Sequence, residues 1–73
     1  MIKFGEFDDC GLTPREREVL VLVVKGLNNP EIAEELCISK STAKSHVSSI
    51  IRKFKVTNRV AAVSYAIKHG FLD

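Results

Sequence analysis

The chain has 73 residues, of which 45% are hydrophobic and 27% charged, and its formal net charge is +2 at pH 7. This length allows one small domain with a core but leaves little room for a deep catalytic cleft. No apolar run approaches the ~20 residues of a membrane span, and the acidic amino terminus lacks a secretion signal. We therefore expect a cytoplasmic protein with no membrane partner.

Charge is divided unevenly along the chain. Residues 1–37 carry four basic and eight acidic side chains, a net charge of −4. Residues 38–73 carry seven basic side chains and one acidic side chain, a net charge of +6. A domain with one basic half is typical of proteins that bind a polyanion. A solvated charged surface without a partner is the alternative interpretation.

The cysteines and histidines form no metal-binding pattern. Cys10 and Cys37 are not a CxxC pair, and neither His46 nor His69 stands at ligand spacing from them. We expect reduced thiols, with Cys37 buried at a helix end, and a disulfide between the two as the alternative. No metal or cofactor is expected. The serines and carboxylates show no nucleophile–base spacing and no phosphate loop, so we do not expect an enzyme.

Periodicity predicts an all-α domain of four helices. Residues 1–11 lack periodicity and are expected to form a flexible arm or the end of a linker, followed by one domain over residues 12–73. No stretch alternates apolar and polar residues as a strand does. The predicted helices span about residues 14–25, 30–36, 40–55 and 59–69.

Polar residues at the expected positions mark the helix starts. Thr13 and Glu16, which flank Pro14 and Arg15, match a capping box for the first helix. Asn29 is predicted to cap the second helix, with Pro30 as its first residue. Ser39 is predicted to cap the third helix, and Thr57 or Asn58 the fourth.

The third predicted helix has two contrasting faces. Its apolar residues recur at i, i+4, i+7, i+8 and i+11, so Val47 and Ile50 should be buried. Its opposite face is basic and rich in serine, and no acidic residue occurs between Glu35 and Asp73. Short hydroxyl side chains let a helix backbone approach DNA closely, so these features suit a major groove. The apolar positions are Ala43, Val47, Ile50, Ile51 and Phe54.

The spacing of these residues resembles the LuxR-type (FixJ/GerE-like) helix-turn-helix family. The resemblance covers residues 12–72, nearly the whole chain, and its motifs are distributed over all four predicted helices. The matching stretches are Leu12-Thr13-Pro14-Arg15-Glu16-Arg17-Glu18-Val19-Leu20, Gly26-Leu27-Asn28-Asn29, Glu31-Ile32-Ala33, Leu36, Ile38-Ser39, Thr42, Lys44, His46-Val47, Ile50, Lys53, Val56, Arg59, Ala62-Val63, Ala66 and Gly70-Phe71-Leu72.

The resemblance implies a DNA-binding domain that dimerises through its last helix, with the helix-turn-helix at about residues 29–48. Such domains occur as stand-alone GerE-like regulators and as effector domains of response regulators, and Met1 fits either a stand-alone protein or a cloned fragment. Ala43 departs from the family's usual valine, which implies looser packing of the third helix. Ser48 lies at a base-facing position where relatives vary, so no relative's operator can be transferred.

On this interpretation, a homodimer binds double-stranded DNA with the third helix in the major groove. The expected base-contacting residues are Lys44, Ser45 and Ser48. The expected phosphate-contacting residues are Asn29, Lys40, Thr42, His46, Arg52 and Lys53. The expected dimer interface is the outward side of the fourth helix, with Ala61, Ser64, Tyr65 and Lys68. Its core-facing side is expected to hold Ala62, Val63, Ala66 and Ile67, joined by Phe71 and Leu72.

Two other functions remain open. A sigma-factor-like module would share the helix-turn-helix and bind both promoter DNA and RNA polymerase, which is therefore a further candidate partner. A dimerisation domain that does not bind DNA is the second alternative, and the acid-free third helix argues against it. DNA binding in the absence of polymerase would separate the first alternative from an autonomous regulator.

Overall fold

The computed structural model describes residues 11–71, and this part of the chain contains four helices and no strand. The all-α prediction is confirmed, and every helix bound lies within one residue of its predicted position. The helices are α1 (Pro14–Val24), α2 (Asn29–Leu36), α3 (Lys40–Phe54) and α4 (Arg59–Lys68).

A capping box begins α1, as predicted. The Thr13 hydroxyl accepts a hydrogen bond from the Glu16 N–H at 3.1 Å, and the Glu16 carboxylate accepts one from the Thr13 N–H at 2.9 Å. This reciprocal pair satisfies two backbone donors that have no partner within the helix. The amino end of α1 is therefore fixed by contacts between residues that are close in sequence.

The predicted cap of α2 is wrong by one residue. Asn28, not Asn29, is the cap: its side-chain oxygen accepts from the Glu31 N–H at 2.9 Å. The Glu31 carboxylate in turn accepts from the Asn28 N–H at 2.8 Å. A capping box needs an acidic residue three positions after the cap, and Asn28 meets that spacing. Asn29 is consequently the first helical residue and Pro30 the second.

The turn between α2 and α3 begins at Cys37, whose φ of 58° is left-handed. The prediction that Cys37 is buried is wrong, because this residue ends α2 and its free thiol is exposed. Ile38 follows, donating its N–H to the Ala33 carbonyl at 2.9 Å and packing partly against the core. The Ser39 hydroxyl accepts from the Thr42 N–H at 3.0 Å, so Ser39 caps α3 as predicted.

Helix α3 is central to the core and packs against all three other helices. Val47 and Ile50 are 8% and 2% exposed, as the periodicity predicted. Ala33 of α2 and Ala43 of α3 are also buried, and their small side chains allow these two helices to approach closely. The buried apolar residues are Leu12, Val19, Leu20, Val23, Ile32, Ala33, Ala43, Val47, Ile50, Phe54, Ala62 and Ala66.

Helix α4 is rotated relative to its predicted orientation. Ala62 and Ala66 face the core as expected, but Ile67 is 63% exposed, so its assignment to the core is wrong. Tyr65, predicted to face outward, stacks on Phe54 with ring centroids 4.4 Å apart. The aromatic ring at position 65 fills space beside Phe54, and this rotation turns Ile67 toward solvent.

Some predictions fall beyond residues 11–71. Apart from Gly11, the predicted arm lies outside the described residues, and so do Cys10 and Leu72. The boundary of the domain at residue 12 stays a prediction. Among the described residues, no helix is both long enough and apolar enough to cross a membrane.

Candidate nucleic-acid interface

Three exposed side chains on α3 lie opposite its buried face. Lys44, Ser45 and Ser48 are all exposed. Between Gly11 and Phe71, none of them forms a hydrogen bond or ion pair with another residue of the chain. An ammonium group and two hydroxyls are therefore available to hydrogen-bond an external partner.

Ser41 was not predicted as a site residue. Its spacing from Lys44, Ser45 and Ser48 nevertheless places it on the same face of α3. Ser41 is exposed and lies three, four and seven positions before Lys44, Ser45 and Ser48. Residues at these offsets share one face of a helix. The candidate base-facing stripe therefore extends through the first turn of α3.

The first turn of α3 also orients a hydroxyl donor. The Ser39 hydroxyl donates to the Thr42 hydroxyl oxygen at 2.9 Å while accepting from the Thr42 N–H. Since the Thr42 oxygen already accepts one hydrogen bond, its own hydrogen is directed elsewhere. Lys40 beside it is exposed, and His46, one turn further along, is half-buried. Thr42 and Lys40 can both donate to a phosphate oxygen from this end of the helix.

Two adjacent basic residues in the last turn of α3 have different hydrogen-bond partners. Arg52 is exposed and donates to the Ser49 hydroxyl at 3.2 Å. Lys53 instead turns toward α1, where its ammonium group donates to the Glu16 carboxylate at 2.8 Å and to the Gly11 carbonyl at 3.0 Å. With its ammonium group held by two internal acceptors, Lys53 is a weaker candidate for a phosphate contact than Arg52.

Glu16 is a buried charged group, only 5% exposed. Burial raises the pKa of its carboxyl group, but hydrogen bonds from Lys53 and the Thr13 N–H, the Lys53 charge and a hydrogen bond with Ser49 lower it by more. The pKa of Glu16 therefore lies below its ordinary value of 4.5. A group with a lowered pKa stabilises the fold above its unfolded value, and that contribution disappears as pH falls through the folded value.

Replacing Lys53 with methionine is expected to lower the free energy of unfolding by about 2 kcal/mol, because it leaves the Glu16 carboxylate without its cation. Replacing Glu16 with glutamine should flatten the loss of stability that the wild type shows below pH 4.5. Urea unfolding at several pH values measures both effects.

Glu18→Gln is the matched control, because Glu18 pairs with Arg15 on the surface, where both side chains are at least 43% exposed. Its effect on stability should be small. If Glu16→Gln and wild type lose stability in parallel below pH 4.5, the buried pair does not stabilise the fold in this way.

At the start of α2, Asn29 is engaged by a residue of α4. Its side-chain oxygen accepts from the Arg59 guanidinium at 2.8 Å. The same guanidinium donates to the Leu27 carbonyl. Of the seven basic residues in positions 38–73, Lys53 and Arg59 are thus half-buried and bonded to distant parts of the chain. The remaining five are exposed: Lys40, Lys44, Arg52, Lys55 and Lys68.

The predicted dimer residues on α4 do not share one environment. Ser64 and Lys68 are exposed, Ala61 is half-buried, and Tyr65 packs on the core. Sequence reasoning missed two exposed apolar side chains on the same outer side, Val60 at 74% and Ile67 at 63%. Their seven-residue separation, with Ser64 between them, was the signal that could have identified this face.

We call Val60, Ser64 and Ile67 the outer face of α4. Val60 and Ile67 are the large apolar side chains that lie exposed between residues 11 and 71. Within residues 11–71, no group of three or more histidine, cysteine, aspartate or glutamate side chains is placed to hold a metal ion.

Comparison with known proteins identifies the family. Residues 11–66 match the model for bacterial regulatory proteins of the luxR family. The chain is 51% identical over 59 residues to the transcriptional regulatory protein LnrK of Bacillus subtilis, covering 81% of this chain and 27% of LnrK. It is 46% identical over 62 residues to the response regulator protein VraR of Staphylococcus aureus, covering 85% of this chain and 30% of VraR.

Solved structures agree with this relationship. The transcription factor GerE superposes with a TM-score of 0.78 at 35% identity, covering 85% of this chain and 92% of GerE. The response regulator ChrA of a heme-sensing two-component system superposes with a TM-score of 0.80 at 37% identity, covering 85% of this chain and 31% of ChrA. With its four helices and the exposed polar stripe on α3, the chain belongs to the luxR family of bacterial regulatory proteins, as a DNA-binding helix-turn-helix domain of a transcriptional regulator.

Proposed function

We propose that this domain binds a specific double-stranded DNA sequence as a homodimer, with α3 in the major groove of each half-site. The observation that carries the proposal is the stripe of Lys44, Ser45 and Ser48, exposed and without internal partners on a helix that has no acidic residue. At 15 residues and ~1.5 Å per residue, α3 is about 22 Å long, enough to enter a major groove and leave it again.

Base reading is assigned to three residues with different chemistry. The Lys44 ammonium can donate to guanine O6 and N7, although a flexible ammonium discriminates less strongly than an arginine fork. Ser45 and Ser48 can hydrogen-bond several bases or admit a thymine methyl group. Ser41 extends the same surface toward the flanking phosphates.

Lys44→Ala is expected to weaken binding to the specific site by ~1–3 kcal/mol, while Ser45→Ala and Ser48→Ala change the preferred sequence more than the non-specific affinity. Selection from random duplex DNA by the purified chain, without RNA polymerase, measures both.

Recovery of one common sequence by wild type supports an autonomous regulator, whereas enrichment only when polymerase is added favours the sigma-factor-like alternative. Identical sequence preferences for wild type and all three variants would refute the assignment.

Phosphate contacts are assigned to both ends of α3 and to the start of α2. Lys40, Thr42 and Arg52 are exposed donors at the ends of α3, and His46 is a half-buried candidate beside them. Asn29 offers a side-chain amide and a backbone N–H that has no acceptor within the helix. Lys53 is retained only as a minor contributor, because its ammonium group already contacts Glu16 and Gly11.

Arg52→Ala is expected to weaken specific and non-specific binding about equally and to reduce the salt dependence by roughly one unit of slope, as one counterion-releasing contact is lost. Lys53→Met should change the slope less while lowering stability. Lys25→Ala at the end of α1 is the control for loss of a positive charge. Fluorescence titrations over a range of salt concentrations test this, and equal slopes for wild type and Arg52→Ala would mean that Arg52 is only solvated.

Dimerisation is assigned to the outer face of α4, joined at its edges by Ala61, Lys68 and the rim of Tyr65. Pairing two such faces across a two-fold axis would present two α3 helices to successive major grooves about 34 Å apart, so the operator should be an inverted repeat. A face of this size cannot bury a standard interface, so the free domain should be largely monomeric and pair on DNA.

Two alternatives are proposed for the whole protein. The chain spans under a third of LnrK and VraR but nearly all of GerE. Both a stand-alone regulator and the effector domain of a response regulator fit these proportions. In either case we propose that the DNA-binding activity resides in this domain and that RNA polymerase is a further candidate partner on promoter DNA.

A further inference from the structure

Arg59 joins two parts of the domain that are distant in sequence. It is the first residue of α4 and is half-buried. One guanidinium nitrogen donates to the Asn29 side-chain oxygen at 2.8 Å, and the other donates to the Leu27 carbonyl. These acceptors lie 30 and 32 residues earlier in the chain. A single planar group therefore ties the start of α4 to the segment that enters α2.

This contact fixes the orientation of the Asn29 amide. A guanidinium has only donors, so the atom of Asn29 that faces it must be the oxygen, and the NH₂ group is directed away from Arg59. The Asn29 backbone N–H, at the first position of α2, has no acceptor within the helix. Arg59 thus holds Asn29 in place. The side-chain NH₂ group and the backbone N–H of Asn29 are both donors, and neither bonds to Arg59.

A lysine at position 59 could not reproduce both hydrogen bonds with the same geometry. The guanidinium fork reaches the Leu27 carbonyl and the Asn29 oxygen with two different nitrogens of one rigid plane. A lysine ammonium is a single point on a flexible stem and would not fix the amide plane in the same way. The geometry is therefore specific to arginine, which makes a substitution test informative.

We propose that Arg59 is a positioning residue for DNA binding, which acts through Asn29 and does not itself contact DNA. The inference rests on the proposed function, since it assumes that the start of α2 contacts a phosphate. Helix α4 would then have a second role besides dimerisation, because its first residue, Arg59, orients the end of α2 that contacts DNA. Any displacement of the start of α4 would then change how Asn29 meets the DNA.

A double-mutant cycle tests this proposal. Wild type, Asn29→Ala, Arg59→Met and the double variant are titrated against a duplex with one half-site of the sequence that wild type selects, so that dimerisation does not contribute. Each single variant should weaken binding about 10-fold, as expected for the loss of one hydrogen bond to a charged group. The double variant should be weaker than wild type by about the same 10-fold, because both changes remove one contact.

Salt dependence separates positioning from direct contact. The slope of binding against salt should be unchanged in Arg59→Met, because an internally bonded guanidinium releases no counterions from DNA. Lys25→Met, which removes an exposed charge from the C-cap of α1, is the control and should change neither affinity nor slope. A slope reduced by about one unit in Arg59→Met would overturn the proposal, since Arg59 would then contact phosphate itself.

Further outcomes are equally decisive. A double variant weakened about 100-fold would show independent effects and overturn the proposal. Thermal melts establish that each variant is folded at the assay temperature, and if Arg59→Met is not, the cycle uses Arg59→Lys with the same criteria. Failure of wild type to select any sequence would refute the proposed function, whereas specific binding by wild type with an additive cycle would refute only the role of Arg59.

Discussion

Ile50→Asp is expected to abolish the folded state. Ile50 is 2% exposed and lies on the face of α3 that packs on the other helices. Burying an unpaired carboxylate in these apolar surroundings costs several kcal/mol. A domain of this size has only ~5 kcal/mol of stability to lose. Far-ultraviolet circular dichroism during heating should therefore show no cooperative transition.

Ser48→Asp is the matched control for this experiment. It introduces the same carboxylate two residues away on the exposed side of α3. Its melting curve should be close to that of wild type, while its affinity for DNA should fall because the new charge faces the phosphates. A cooperative, wild-type-like melt for Ile50→Asp would mean that α3 presents the opposite face to the core.

Replacing Val60 and Ile67 together with glutamate is expected to abolish cooperative binding to a two-half-site operator. Both side chains are mostly exposed, so their replacement removes little buried area and should leave the melting curve nearly unchanged. In a dimer, however, four carboxylates would face one another across the two-fold axis. Titration of full-site and half-site duplexes should therefore show lost cooperativity and nearly intact half-site affinity.

Lys25→Glu is the control for charge, because it makes the net charge more negative by the same amount at an exposed position outside α4. It should leave cooperativity intact. Tyr65→Glu would be a poor probe, since this ring stacks on Phe54 and its loss should destabilise the fold. Unchanged cooperativity in the Val60 and Ile67 variant would place the dimer interface elsewhere.

Local sequence patterns were enough to predict the helices, the two faces of α3 and the family. Capping boxes and amphipathic stripes are local: the groups that interact lie three or four residues apart, so their spacing is visible in the chain. The misplaced cap of α2 shows the limit of this reasoning. Asn28 and Asn29 have the same side chain, and only the spacing to Glu31 distinguishes them.

The roles of side chains whose partners are distant in sequence could not be predicted, because they depend on how the helices pack. Arg52 and Lys53 are adjacent and both basic, yet only Lys53 meets a buried carboxylate, 37 residues earlier. The rotation of α4 was likewise undetermined, because alanines, valines and an isoleucine surround the helix and leave its apolar stripe ambiguous. The contact of Tyr65 with Phe54 selects one rotation, and that choice exposes Val60 and Ile67.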